Sequence, residues 1–429
     1  MRIALSILIN VLLAGLLGCW LRSEWHQANP RLRRWLLPAL GWRVLLTAIS
    51  SAYPSPDLLG PVAWGRLLAT SFWEDPRQIG PMLQGASFHM QGHVASFYQW
   101  SNTLFFYKVL AVCSMFSGGS SWFNGLYLSM LCFMASWSLV RVLSEVFPLA
   151  PAGAAGVAFL AWPSVLWWTA GLTKETLVVG AGAGVAALAL TLTYQKWPAR
   201  RWRLAGRVAL GLLLAWVMFR IRYFFALPLL GGLLALAAVR GATRRGWLGA
   251  SAGPQVGGVL LGLALLAGPV LVAGRRVVSA QFLVDEIGRN YAAGLRASVG
   301  RPHLEYADWQ ATPPGLLRHL PQAVGQVLAR PWLGESARPQ YVAVALENLV
   351  LLALLGLALL AAVRGRAGHL PVALVAVLLL YCLLLAAFIG LSTPNLGTLS
   401  RYRAALLPWL LLLLLQNDYA RGLLRKLGR

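Results

Sequence analysis

The chain has 429 residues, 58% hydrophobic and only 12% charged, with a formal net charge of +24. A soluble domain carries about 25% charged residues, so an ordinary soluble globule is excluded, and many apolar runs near or above ~18 residues exclude a β-barrel, whose strands are short and alternating. Most of the basic excess lies in short loops between apolar runs, a pattern that fits the positive-inside rule and anionic lipid rather than nucleic acid.

The expected fold is an all-α, polytopic transmembrane helical bundle. Eleven spans are expected, near 3–21, 36–53, 122–143, 150–168, 176–195, 205–219, 223–239, 255–273, 344–363, 370–390 and 404–416. With the N-terminus outside and the C-terminus inside, the inner loops and tail hold 19 basic residues and three acids, Glu24, Glu145 and Asp418. The outer side then holds 17 basic residues and ten acids, and Arg43, inside the second span, is counted on neither side. This charge bias sets the orientation. It also suits a bacterial inner membrane.

Five regions follow in order. Residues 1–53 form two N-terminal spans, and 54–121 form a first outer loop with interfacial helices. Residues 122–273 form a central transmembrane bundle. Residues 274–343 form a second outer-loop subdomain, and 344–429 form three C-terminal spans with a basic cytoplasmic tail. In the first outer loop the aromatic stretch from Phe88 to Tyr107 suits helices lying in the interface. Cys19 follows LLG, as in a loose lipoprotein cleavage site, but Arg31, Arg33 and Arg34 soon after suit an inner loop. Residues 3–21 therefore read as an uncleaved span. Cys19, Cys113, Cys132 and Cys382 show no CxxC or Cys/His spacing, so neither a zinc site nor a disulfide framework is indicated.

Ionisable residues at span ends are the candidates for chemistry, because an unpaired charge is costly there. Asp57, in YPSPDLLG, could act as a general base or as a helix N-cap. Glu74 and Asp75, in SFWEDP, carry the same two readings. Lys174 and Glu175 follow WPSVLWWTAGLT, where the lysine could act as a point charge on phosphate and Glu175 could orient it or act as a catalytic base. Residues i and i+1 do not face each other on a helix, so these two need separate partners. Thr173 could cap a helix beginning there, with Glu175 in its first turn.

Arg220 and Arg222 interrupt LLLAWVMFRIRYFFALPLL, and Arg401, Tyr402 and Arg403 follow TPNLGTLS. Residues i and i+2 point to different faces, yet from a broken turn both can reach one phosphate. The alternative is snorkelling to lipid headgroups. Arg275 and Arg276 read as flanking charge. In the second outer loop Asp285, Glu286, His303, Glu305 and Asp308 could serve acid–base roles or bind a divalent ion, or form a solvated surface. No dedicated metal site or cofactor motif is read from the chain. Glu347 opens a span and is expected to pair with an outer arginine.

Three segments carry a resemblance. WPSVLWWTAGLTKE, RPWLGESARPQYVAVALENL and GTLSRYRAALLPWL resemble segments of polytopic bacterial polysaccharide-assembly membrane proteins, shared loosely with type C glycosyltransferases and O-antigen polymerases. The resemblance implies an inner-membrane glycosyltransferase or glycan polymerase that uses a polyprenyl-phosphate-linked sugar at the outer face. Asp57 would match a catalytic base or metal-linked acid, and Lys174, Arg401 and Arg403 would match residues contacting lipid phosphate. The chain departs from type C enzymes in placing its long loop after the second span and in lacking a paired acid at Asp57. A non-enzymatic lipid-linked glycan transporter or export subunit, or a membrane scaffold for surface assembly, uses the same basic residues without a base.

Overall fold

The structure, a computed structural model, describes residues 2–53, 56–90, 93–97, 101–273 and 280–427. Its helices, in chain order, are α1 (Arg2–Gln27), α2 (Pro30–Ala52), α3 (Pro56–Glu74), α4 (Ile79–Gln84), α5 (Asn102–Ser117), α6 (Ser121–Val146), α7 (Ala152–Gly156), α8 (Pro163–Thr169) and α9 (Lys174–Tyr194). Then come α10 (Arg201–Arg244), α11 (Ala252–Ala273), α12 (Ala280–Arg296), α13 (Pro313–Ala329), α14 (Pro339–Val363), α15 (Val372–Ser392), α16 (Leu396–Arg403), α17 (Leu407–Leu415) and α18 (Asp418–Leu427). One short antiparallel hairpin, β1 (Ser87–Met90) with β2 (His93–Ser96), interrupts this helical order. It replaces part of the interfacial helix expected across 88–107. Gly92, a poor helix former, lies between the two strands in sequence.

Caps fix where helices begin. Asn29 accepts from the Arg31 amide ahead of α2, with Pro30 in the first turn. Ser101 caps α5 through the Leu104 amide, Thr312 caps α13 and Asn395 caps α16. Each short polar side chain satisfies an amide that has no partner within its helix.

Among the described residues seven helices are long and apolar enough to cross a membrane: α1, α2, α6, α9, α10, α14 and α15. The pair α16 and α17, bent by 59°, makes an eighth if it is one broken span. The chain is thus an all-helical, multi-pass membrane protein apart from its hairpin. The difference from eleven expected spans comes from breaks. The runs 205–219 and 223–239 share the 44-residue α10, which leaves helical geometry at Arg222 (φ −152°, ψ 84°). At 1.5 Å per residue such a helix is about 66 Å long, twice the hydrocarbon thickness. The run 150–168 becomes α7, a π-helical turn at Val157–Ala161 and α8, because extended Trp162 and Pro163 interrupt it. Residues 252–268 of α11 are apolar but shorter.

The residues group into two compact units that interleave along the chain. One comprises 1–141, 166–188 and 198–226; the other comprises 142–165, 189–197 and 227–429. In the first unit, α3 packs on α5 around Leu68, Phe72, Leu104, Tyr107 and Ala111. Gly65 permits the approach, since a Cβ there would lie 2.9 Å from Leu110 Cβ. In the second, Val284, Ile287, Tyr291, Tyr306 and Leu316 pack with Ala323 and Leu391.

Close backbone approach makes a testable contrast within the second unit. A Cβ on Gly390 of α15 would lie 2.5 Å from the Ala323 carbonyl of α13, whereas Gly356 of α14 has open space around it. Gly390→Val should therefore cost about 1–3 kcal/mol of stability by overpacking. Gly356→Ala should be neutral or stabilising through helix propensity. Thermal unfolding in one detergent distinguishes the two, and equal melting temperatures would contradict the packing.

Candidate functional site

In the first unit the chemistry starts at a turn. Between α8 and α9, residues 170–173 leave helical geometry, and Gly171 takes φ +89°. A break among apolar helices exposes backbone groups that lipid cannot satisfy. Side chains satisfy them here. Thr173 Oγ1 donates to the Trp168 carbonyl at 2.6 Å, and Arg43 Nη1 donates to the Thr169 carbonyl at 2.7 Å. Ser50 reaches the Ala170 carbonyl at 3.4 Å, and Thr176 Oγ1 donates to the Gly171 carbonyl at 3.1 Å. The Gly171 amide donates to Ser129 Oγ at 2.6 Å. Only glycine fits at 171, since a Cβ would fall 2.3 Å from Ser50 Oγ.

Lys174 and Glu175 leave this turn in the first turn of α9 and find separate partners. Lys174 Nζ donates to Asn102 Oδ1 and Thr103 Oγ1, both at 2.9 Å. These oxygens offset the unfavourable placement of a cation at a helix N-terminus. Thr173 Oγ1 accepts from the Thr176 amide at 3.1 Å, so the capping role is real and coexists with the lysine's contacts. Glu175 Oε1 accepts from Arg222 Nη2 at 2.7 Å, with side chains only 3% and 4% exposed. Arg222 is the residue at which α10 breaks. Arg220 points elsewhere: it is half-buried, its guanidinium lies 5.4 Å from the Phe105 ring centroid, and it interacts electrostatically with Lys108. The start of α5 thus meets Lys174 through Asn102 and Thr103, and Arg220 through Phe105 and Lys108.

In the second unit the three segments quoted for the resemblance meet. Arg403, 2% exposed, donates to the Arg330 carbonyl at 2.9 Å and to Asn348 Oδ1 at 2.6 Å. Asn348 Nδ2 donates in turn to the carbonyls of Ala329 and Pro331. Arg330 pairs with Glu335. Ser164 Oγ donates to Glu347 Oε1 at 2.6 Å, and Glu347 lies within electrostatic reach of Arg403. The hydrogen-bond partner of Glu347 is thus Ser164, and no ion pair with an arginine is seen for it among the described residues. Arg401, two residues before Arg403, is half-buried with its guanidinium 5.5 Å from the half-buried Tyr402 ring.

The remaining candidates are peripheral or undescribed. Asp57 lies at the second position of α3, and its side chain lies outside the described residues, as do Arg275 and Arg276 entirely. Glu74, exposed, ends α3, and Asp75 accepts from the Arg77 amide at 3.1 Å in the turn that follows. Asp285 and Glu286 bond to neighbours on α12. Among the described residues no group of three or more His, Cys, Asp or Glu side chains could hold a metal ion. A cavity of about 920 Å³ opens among α1, α3 and α5, lined by Ile7, Val11, Ala69, Trp73 and Phe123. None of the candidate site residues lines it.

His303 is engaged on both ring nitrogens. Nδ1 faces the Arg301 carbonyl at 2.7 Å and Nε2 faces Glu305 Oε1 at 2.6 Å. Two acceptors favour the imidazolium, and the carbonyl bond followed by the Glu305 bond raises the pKa above its ordinary 6.5. The adjacent Leu304 amide donates to the Pro394 carbonyl, which ties this loop to the residues preceding α16.

Comparison of the chain with protein families, with curated proteins and with solved structures finds no match.

Two measurements follow. Removing either partner of the buried Glu175–Arg222 pair leaves an uncompensated charge, which costs about 3–5 kcal/mol. Glu175→Leu and Arg222→Leu should each destabilise strongly, and the double variant should recover most of the loss. Additive single effects would show that the two are not coupled. The raised His303 pKa means the imidazolium stabilises the fold below about pH 6.5, and that contribution is lost as pH rises through the folded-state value. The melting-temperature advantage of wild type over His303→Gln should be largest in acid and should shrink above neutrality; a difference that grows with pH would contradict the assignment.

Proposed function

We propose that the protein is a bacterial inner-membrane enzyme that transfers a sugar or glycan block from a polyprenyl-phosphate carrier to an acceptor at the outer face. The proposal takes the eleven crossings and the outward N-terminus from the charge bias, with α10 counted as two spans and the other interrupted runs as one each.

The observation that carries the reading is a repeated division of labour. In each Arg-x-Arg pair the second arginine is buried and bound by protein oxygens, Arg222 by Glu175 and Arg403 by Arg330 and Asn348. The first of each pair, Arg220 or Arg401, is half-buried beside an aromatic ring. Each pair sits at a break or bend in apolar helix. In the first unit Arg222 then holds the break, and Arg220 and Lys174 present charge to a lipid phosphate; in the second unit Arg403 holds the bend, and Arg401 presents charge of its own. Guanidinium suits that ligand because it stays charged and matches phosphate oxygens in pairs.

In the proposed reaction an acceptor hydroxyl oxygen attacks the anomeric carbon of the carrier-linked sugar. The bond from that carbon to the phosphate oxygen breaks, and the electron pair leaves with the polyprenyl phosphate. Arg220 and Lys174 stabilise the departing charge. The hydroxyl proton passes to a carboxylate, for which Asp57 is the candidate. Glu175, already bound by Arg222, is better suited to orienting Arg222 than to receiving that proton.

The test is transfer from a synthetic polyprenyl-linked sugar in proteoliposomes. Loss of one charge-assisted hydrogen bond is worth about 1.5–3 kcal/mol, so Arg220→Ala and Arg401→Ala should each lower kcat/KM by roughly 10- to 150-fold. Full activity in both variants would overturn the arginine assignment, and carrier movement without bond formation would favour a transporter.

A further inference from the structure

Arg43 sits inside α2, where a charge has no ordinary place. Its side chain is fully buried. Nη1 donates to both the carbonyl and Oγ1 of Thr169, at 2.7 and 2.8 Å. Nε and Nη2 are buried with no hydrogen-bond partner among the described residues, and no ion pair joins Arg43 to a carboxylate. A buried guanidinium is retained against a cost of several kcal/mol, so its contacts point to its use.

Those contacts converge on the turn that carries Lys174. Arg43, Thr47 and Ser50 lie at i, i+4 and i+7, on one face of α2. Arg43 holds the Thr169 carbonyl, and Ser50 reaches that of Ala170. Thr47 Oγ1 lies 2.8 Å from Ser129 Oγ, which accepts the Gly171 amide. Gly125 of α6 lets the turn approach, since a Cβ there would lie 3.4 Å from Gly171 Cα and 3.1 Å from Ser51 Oγ. The polar face of α2 is therefore a template for residues 169–171. Lys174 and Glu175 take their directions from that template.

We infer that Arg43 is a positioning residue for an anion site at the start of α9. It fixes the turn from which Lys174 and Glu175 project. It also places beside that turn a positive charge that no carboxylate among the described residues neutralises. In a medium of low dielectric such a charge is weakly screened, so it favours an arriving phosphate without touching it. The anion part of the inference rests on the proposed function; the positioning part does not.

The experiment uses the full chain in lipid nanodiscs, with Arg43→Met, Arg43→Lys and Thr169→Val. Two quantities are read beside the melting temperature. One is labelling of Lys174 by an amine-reactive ester, measured by mass spectrometry against Lys196, which lies in the loop before α10. The other is affinity for farnesyl phosphate. Arg43→Met should raise Lys174 labelling several-fold with Lys196 unchanged, and should weaken farnesyl phosphate binding by about tenfold, the worth of one such interaction. Arg43→Lys should restore part of the affinity by keeping the charge. Thr169→Val, which deletes one of the two acceptors and spares Arg43, should give an intermediate labelling and serves where Arg43→Met fails to fold. Unchanged Lys174 labelling in the folded variants would overturn the positioning role. Raised labelling in a chain whose wild type binds no farnesyl phosphate would leave that role standing and overturn the anion reading.

Discussion

Hydrocarbon offers no hydrogen bonds, so every interruption of a membrane helix must be satisfied from within the protein. The described residues meet this constraint with side chains drawn from distant parts of the sequence. At 170–173 the acceptors and donors are covered by Arg43, Ser50, Ser129, Thr173 and Thr176. Near the bend after α16, Arg403 and Asn348 cover the carbonyls of residues 329–331. The breaks are thus held by side-chain hydrogen bonds. A firmly held break is the one place in a span where a side chain can be aimed at something other than a neighbouring helix or lipid.

What could be read from sequence follows from how local each signal is. The apolar runs at α1, α2, α6, α9, α14 and α15 were legible because span length is a local property. The interruptions announced themselves through Arg222, Pro163 and Gly171, residues that a continuous apolar helix avoids. The separate partners required by Lys174 and Glu175 followed from helix geometry alone. The partners themselves did not, because Asn102 and Arg222 lie 72 and 47 residues away. Nothing local marks Asn102, Asn348 or Ser164 as special, since each matters only through a long-range contact. Arg43 is different. It is legible in the sequence as a charge inside a span, and a lone intramembrane arginine is itself a sign of function. The hairpin at 87–96 was hidden by an aromatic composition that suits interfacial helix and strand equally.

Two acids, the buried Glu175 and the half-buried Glu347, show how the same constraint limits chemistry. Glu175 and Glu347 are carboxylates near the starts of apolar helices, and both are already engaged, by Arg222 and by Ser164 respectively. A carboxylate held this way keeps two elements together and cannot move freely toward a substrate. The acids of the outer loops are instead bonded to their own neighbours or exposed, as Asp75, Asp285 and Glu286 are. A proton acceptor for an attacking hydroxyl must be neither buried in a bridge nor fully solvated. On the segment after α2, Glu74 is exposed and Asp75 accepts from the Arg77 amide, and the Asp57 side chain lies outside the described residues.

The same reasoning explains why arginine recurs in pairs separated by one residue. A guanidinium has five donors in a rigid fork, so one side chain can hold two acceptors from different segments. Arg403 does this with the Arg330 carbonyl and the Asn348 amide oxygen, whereas Arg43 holds two acceptors of the single residue Thr169. Two residues before Arg222 or Arg403, the chain points to a different face, so a second arginine there cannot share the first one's partners. Arg220 and Arg401 occupy that position beside Phe105 and Tyr402. An aromatic ring covers one face of a guanidinium and leaves its edge, where the N–H groups lie, directed elsewhere. The buried arginine fixes the backbone and the second takes its direction from it. Replacing the buried member should therefore disturb anion binding as much as replacing the half-buried one, though by displacement rather than by loss of contact.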